Sequence, residues 1–172
     1  MYFDSFPKVR YTNIKGVKPK IVTNLLRRVG VRDAIKTNAV TYTKYIVKNG
    51  ETPESVAFNF YGDANLHYVI LLVNDIYDRY HQWPLHSRQF QSYMNNKYAD
   101  GNGLHHYEIS QTSGDTTVKI NIGSDNTDYP AATAVSNLEH EEADQDTKRI
   151  IKILNPAYVP QFIAEYKFLL GK

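Results

Sequence analysis

The segment that most restricts the fold is Thr52-Pro-Glu-Ser-Val-Ala57, which carries every signal of a helix start. Thr52 offers a side-chain oxygen to the free amides of the first turn. Pro53 occupies the first helical position, where a missing amide costs nothing, and Glu54 meets the positive end of the helix dipole. Val56, Ala57, Phe60 and Tyr61 then fall on one stripe, and Gly62 ends the helix. Asp63 to Asn65 begin a second helix, in which Leu66, Val69, Ile70 and Val73 recur at i, i+3, i+4 and i+7 with Leu72 widening the face. Asn74 and Asp75 end it. So short a connection leaves the two apolar faces little choice but to pack on each other. Residues 41–47, Thr-Tyr-Thr-Lys-Tyr-Ile-Val, are β-branched and aromatic and read as a strand. The expected nucleus is a β-α-α unit over about residues 42–75, with Val47, Val56, Ala57, Phe60, Leu66, Val69, Ile70 and Val73 buried.

Around that nucleus the chain divides into four stretches, together an α+β fold. Residues 1–40 form a basic N-terminal arm: aromatics at the front, then Gly16 and Pro19, with no sustained period, and a short helix capped by Thr23, carrying Leu25, Leu26 and Val29 and stopped by Gly30. Residues 41–98 hold the core and a following helix from Ser87 that buries Phe90, Tyr93 or Met94, and Tyr98. Residues 99–147 form a polar, acidic insertion punctuated by glycine, with short strands expected at 106–110 and 117–122. In residues 148–172 a strand over 148–154 precedes a helical stripe of Val159, Phe162, Ile163, Tyr166, Leu169 and Leu170.

With 172 residues the chain has room for one domain, or a small domain with ordered extensions. The absence of cysteine removes disulfides, thiolate metal sites and cysteine nucleophiles together. The longest apolar or aromatic run, residues 68–73, is far shorter than the ~20 residues of a membrane span. No basic segment followed by an apolar core opens the chain, so no signal peptide is expected and no membrane partner is read. The net charge of +2 gives no global footprint for nucleic acid. It hides an asymmetry. Residues 1–50 carry eleven Lys and Arg against two acids, while residues 125–146 carry seven acids and no Lys or Arg. Two solvated faces of one fold would explain this, and so would a basic arm docking on an acidic partner protein. Nucleic-acid binding explains it less well, because no nucleic-acid motif accompanies the basic residues.

The residues give no sign of catalysis. His105 and His106 are adjacent and would point apart on a strand; His81 and His86 sit in a proline-bearing loop; His140-Glu141-Glu142 lacks the second histidine that zinc peptidases place on the same helix face. Glu141 and Glu142 lie in a polar run that offers no burial to raise their pKa. Gly101-Asn-Gly103 lacks the third glycine and helix onset of a dinucleotide loop. No catalytic residue, metal or cofactor is expected.

Tyr45-Ile-Val47-Lys-Asn-Gly50-Glu51-Thr52, followed by Val56-Ala57, resembles the opening of a LysM module, which begins with a Y-x-V strand, a K-x-G-D-T turn and a helix carrying I-A. A LysM module closes with a second strand, whereas here the chain runs Asp75-Ile-Tyr77-Asp78-Arg-Tyr80-His-Gln-Trp83-Pro84. Half of that family's glycan groove is thereby altered, which argues against glycan binding. Tyr61-Gly62, Leu66, Val69, Leu71, Asn74-Asp75, Tyr77-Asp78, Tyr80 and Trp83, with Phe6-Pro7 near the front and Arg149-Ile-Ile-Lys-Ile153 near the end, resemble the LysM-like baseplate wedge proteins of T-even-type contractile-tailed bacteriophages.

That resemblance implies a structural subunit of the virion's tail baseplate, assembled in the host cytoplasm, that joins wedge proteins and connects neighbouring wedges around the hub. The alternative is a peptidoglycan- or chitin-type glycan-binding module. The expected partner-binding residues are Tyr2, Phe3, Phe6, Lys8 and Arg10 in the arm and Tyr77, Tyr80 and Trp83 in the loop. Trp and Tyr dominate protein interfaces, and a LysM-sized core has no evident place for three such rings.

Overall fold

A computed structural model describes residues 5–12, 18–27, 29–31, 40–115 and 117–171. The fold is α+β, in two compact units: the chain up to Trp83 together with residues 150–172, and residues 84–149. The helix that follows the core therefore groups with the insertion rather than with the core. Among the described residues no helix is long and apolar enough to cross a membrane.

The first unit begins with a hairpin of β1 (Lys8–Tyr11) and β2 (Lys20–Thr23), antiparallel, with Val9 opposite Val22 and Arg10 opposite Ile21. Strand β3 (Tyr42–Ile46) leads into helix α1 (Pro53–Tyr61), capped as its sequence requires: Ser55 N–H donates to Thr52 Oγ1 at 3.2 Å, and Thr52 N–H donates to Ser55 Oγ at 2.9 Å. Gly62 stops α1 with a left-handed φ of 74°, a conformation that needs no Cβ. One 3-10 turn (Ala64–Leu66), capped by Asp63, precedes α2 (His67–Val73). A short α3 (Arg79–Gln82) ends at Trp83. Val47, Val56, Ala57, Val69, Ile70 and Val73 are all buried, while Phe60 and Leu66 are half-buried at the margin.

The strand missing after α2 comes from the far end of the sequence. Strand β7 (Ile150–Leu154) pairs antiparallel with β3, Tyr42 opposite Leu154 and Ile46 opposite Ile150. Its Ile151 and Ile153 enter the cluster of Val47, Val56, Ala57 and Ile70. Asn74 locks the junction. Its side-chain amide donates to the carbonyls of Ile70 and Lys152 at 2.9 and 2.8 Å, and its oxygen accepts from Lys152 N–H at 2.8 Å. The strand begins at Ile150, two residues later than the sequence pattern suggests, because Lys148 and Arg149 finish a helix.

Two expectations for the arm are corrected. Residues 20–23 form a strand and residues 25–26 a turn, so Thr23 caps no helix; Leu26 N–H is taken instead by the Asn24 side chain at 3.1 Å. Phe6 of the arm is also packed. It is buried with Tyr166 and Leu170 of α6 (Val159–Leu170), next to Val29, Tyr68 and Leu72. One aromatic ring in a waiting pocket anchors a segment whose sequence shows no period.

The second unit holds α4 (Ser87–Lys97) and a three-stranded antiparallel sheet in the order β5 (Lys119–Gly123), β4 (Leu104–Ser110), β6 (Thr133–Ser136), followed by α5 (Asn137–Arg149). Strand β6 and helix α5 were not expected from a run of polar residues. Helix α5 is amphipathic in another sense, since the side chains it buries are Glu141 and Gln145. Glu141 accepts from Lys97 Nζ at 2.6 Å and Tyr98 Oη at 2.7 Å. Burial alone would raise its pKa, but those two hydrogen bonds and the Lys97 charge outweigh it and hold the carboxyl below its usual range. Gln145 accepts from Leu85 N–H at 2.7 Å. The expectation that His105 and His106 point apart also fails. The register of β4 against β6 shifts between Leu104 and His106, a bulge that breaks the strict alternation of a strand. Their Nδ1 atoms lie 2.8 Å apart.

Candidate partner-binding surface

The loop after α2 is built to hold side chains outward. Asp75 takes a left-handed φ of 55°, turning the chain sharply. The Gln82 side-chain oxygen accepts from both Tyr77 N–H and Asp78 N–H at 2.8 Å, closing the loop on itself. Asp78 caps α3 by accepting from Tyr80 N–H at 2.9 Å and contacts His81 Nδ1 at 2.6 Å. The His81 hydrogen bond is the main cause that lowers the Asp78 pKa, with the Tyr80 amide adding to it. Arg79 reaches across to Glu54 on α1. The loop is thus closed on itself by polar contacts and tied to α1 through Arg79, and Tyr77 and Tyr80 stand out of it, 72% and 84% exposed.

Trp83 behaves differently. It is 6% exposed, packs in the main core cluster, and its Nε1–H donates to the Glu51 carbonyl at 2.9 Å. The core does have a place for this ring, in the cluster with Val47, Val56, Ala57, Ile70, Ile151 and Ile153. Phe6 is likewise a core residue, as described above. Both were expected at a partner surface, and their burial leaves little ring for a partner to touch. Tyr2 and Phe3 lie outside the described residues.

Lys8 and Arg10 are exposed on β1. Every residue of strands β1 and β2 is exposed, on both faces. Its apolar members Val9, Tyr11, Ile21 and Val22 are between 37% and 68% exposed. Two-stranded hairpins with no third element are marginal, and unpaired strand edges are natural docking templates. Sequence reasoning missed these four residues, although Lys8-Val-Arg-Tyr11 alternates polar and apolar as a strand does. An apolar groove of about 360 Å³ in the same unit is lined by Val29, Tyr42, Leu72, Leu154, Phe162 and Leu169.

The surface therefore offers two projecting tyrosines on a braced loop and an uncovered hairpin carrying both cations and apolar side chains. Exposed aromatic side chains such as these tyrosines are typical of protein interfaces. The family described as Base plate wedge protein 53 matches residues 1–168. The chain belongs to that family. The baseplate wedge protein gp53 of Enterobacteria phage T4 is 25% identical over 188 aligned residues, which take in 99% of this chain and 95% of the T4 protein. The match of this wedge-family chain runs through the hairpin, the β3–α1–α2 core and the C-terminal strand and helix, and also spans the second unit.

Proposed function

We propose that the protein is a structural subunit of a phage tail baseplate wedge, which joins other wedge proteins and links neighbouring wedges around the hub. The observation that carries this reading is the family match across residues 1–168. The exposed hairpin and the Tyr77/Tyr80 loop are its docking surfaces in this account. Lys8 and Arg10, with Lys18 and Lys20, steer the hairpin toward acidic partner surfaces, and the tyrosines supply buried area once docked. The strand-helix-helix-strand order of β3, α1, α2 and β7 supports a LysM-like origin for the core, with the second unit inserted before its closing strand. Assembly takes place in the host cytoplasm and the finished protein resides in the virion tail. The role is architectural and non-enzymatic.

Co-assembly tests this directly. Purified chain mixed with the other wedge proteins of the same phage should co-sediment with them. Replacing Lys8, Arg10, Lys18 and Lys20 by Gln should slow association at low salt and remove most of its salt dependence, because screening acts on exposed charges. Wild-type association that is indifferent to salt would contradict the steering role. The glycan-binding alternative is tested by titrating the protein with chitin oligomers or muropeptides. The altered loop predicts no saturable binding.

A further inference from the structure

The second unit has a chemical feature that baseplate architecture does not call for. His105 and His106 on β4 and His140 on α5 converge, and one ring nitrogen from each lies within 4.8 Å of the others. We propose that these three histidines form a structural transition-metal site, suited to zinc, that ties β4 to α5.

The arrangement has the parts such a site needs. His106 is 5% exposed, and its Nε2 lies 3.0 Å from the Glu108 carboxylate. A carboxylate only accepts, so Nε2 carries the proton and the neutral ring leaves the Nδ1 lone pair free. A ligating histidine whose other nitrogen donates to a carboxylate is the usual way proteins fix tautomer and ring angle at a metal. That free Nδ1 faces His105 Nδ1 at 2.8 Å. Only one proton fits between them, so without a metal His105 donates to His106. With a metal, His105 shifts that proton to its Nε2 and both Nδ1 lone pairs point inward. The His140 ring stacks on His105 with centroids 3.8 Å apart and planes 12° from parallel. In a tetrahedral site with bonds of 2.0–2.1 Å the ligand nitrogens stand about 3.3 Å apart. The His105–His106 spacing of 2.8 Å is shorter than that, and the stacked His105 and His140 rings must turn out of parallel for both lone pairs to meet one ion.

Two elements are held in place for this. The β4 bulge turns His105 and His106 to one side. Helix α5 is docked by its first amides, Asn137 N–H to Gly103 O and Leu138 N–H to Gly101 O, both at 2.9 Å, which sets His140 near the strand. Three imidazoles select a late first-row ion over calcium or magnesium, which prefer oxygen ligands. Three protein ligands leave one position for water.

A need for the metal is also visible. Among the described residues of 84–149, Met94 is the one buried hydrophobic side chain; the other buried side chains are His106, Glu141 and Gln145. A unit with so little apolar core requires another source of stability, and the chain has no cysteine for a disulfide. Metal binding supplies folding energy directly, because the ligands are assembled only in the folded unit.

The test uses the full chain without a histidine tag, stripped with chelator. Isothermal titration with Zn²⁺ should show one tight equivalent, and Zn²⁺ should raise the thermal midpoint. His105→Gln and His140→Gln should each weaken binding by about tenfold or more, with the circular dichroism of the metal-free proteins unchanged. Should either variant misfold, ring ¹H–¹⁵N spectra of the wild-type chain decide the matter: Zn²⁺ should shift His105, His106 and His140 and leave His67, His81 and His86 in place. Absence of stoichiometric binding, undiminished binding by both variants, or shifts confined to the other three histidines would overturn the proposal.

Discussion

Single residues set both the stability and the surface of this protein, and burial decides which does which. Val69 is fully buried in the cluster of Val73, Leu154 and Val159. Val69→Ala removes two methyl groups from a packed site and leaves a partial void, so the first unit should lose about 1.5–3 kcal/mol, read as a lower denaturant midpoint. Tyr45 provides a pH-dependent case. Its hydroxyl donates to both carboxylate oxygens of Glu51 at 2.9 and 2.8 Å, and its ring meets Phe60 edge to face. Burial, then the Glu51 hydrogen bond and charge, push its pKa from 10.0 up to about 12. A pKa raised by folding gives stability that is complete below pH 10 and is lost as pH climbs toward 12. Tyr45→Phe should therefore cost about 1–2 kcal/mol at pH 8, and the gap between variant and wild type should close with rising pH; a gap that stays constant would assign the effect to packing. Residue types alone did not separate Trp83 from Tyr77 and Tyr80. All three are large, aromatic and close in sequence, and it is the long-range cluster with Ile151 and Ile153, with the Glu51 carbonyl as acceptor, that holds the indole inward.

At the scale of elements, what was legible in the sequence is what is local. The cap at Thr52, the stop at Gly62 and the apolar period of α2 depend on neighbours a few residues away, and they appear where the pattern puts them. Strand β7 was readable as a strand, but its pairing with β3 was not, because residues 84–149 intervene and pattern carries no information about distant partners. Helix α5 was missed because it buries Glu141 and Gln145, so its hydrophobic period is absent. A signal for it did exist. Ser136-Asn-Leu-Glu139 is a capping box, with Ser136 N–H donating to Glu139 Oε2 at 2.8 Å and Glu139 N–H to Ser136 Oγ at 3.3 Å. Asn74 is the element-scale joint that can be broken cleanly. Asn74→Ala strips Lys152 of both its backbone contacts with α2 and should destabilise the first unit by about 1–2 kcal/mol. Faster amide exchange at Lys152, with α1 amides unaffected, would show that the loss is local to β7.

For the whole molecule, the division of labour is between a core that folds from long-range pairing and a surface that the isolated chain leaves uncovered. The hairpin and the Tyr77/Tyr80 loop belong to the same unit as the core, and Phe6 fastens the chain just before β1 into that core. The arm is thus not a detachable tail. Removing residues 1–30 would strip Phe6 from Tyr166 and Leu170, which confounds a loss of docking with a loss of stability. Point changes on the exposed side avoid that. The most direct measurement is incorporation of a Lys8→Gln, Arg10→Gln, Tyr77→Ala, Tyr80→Ala variant into wedges assembled from purified components, beside its thermal melt. The account predicts a midpoint close to wild type, since exposed substitutions change stability by about 0.5 kcal/mol or less each, and little or no variant in the wedge fraction. A stably folded variant that enters wedges at the wild-type rate would contradict it.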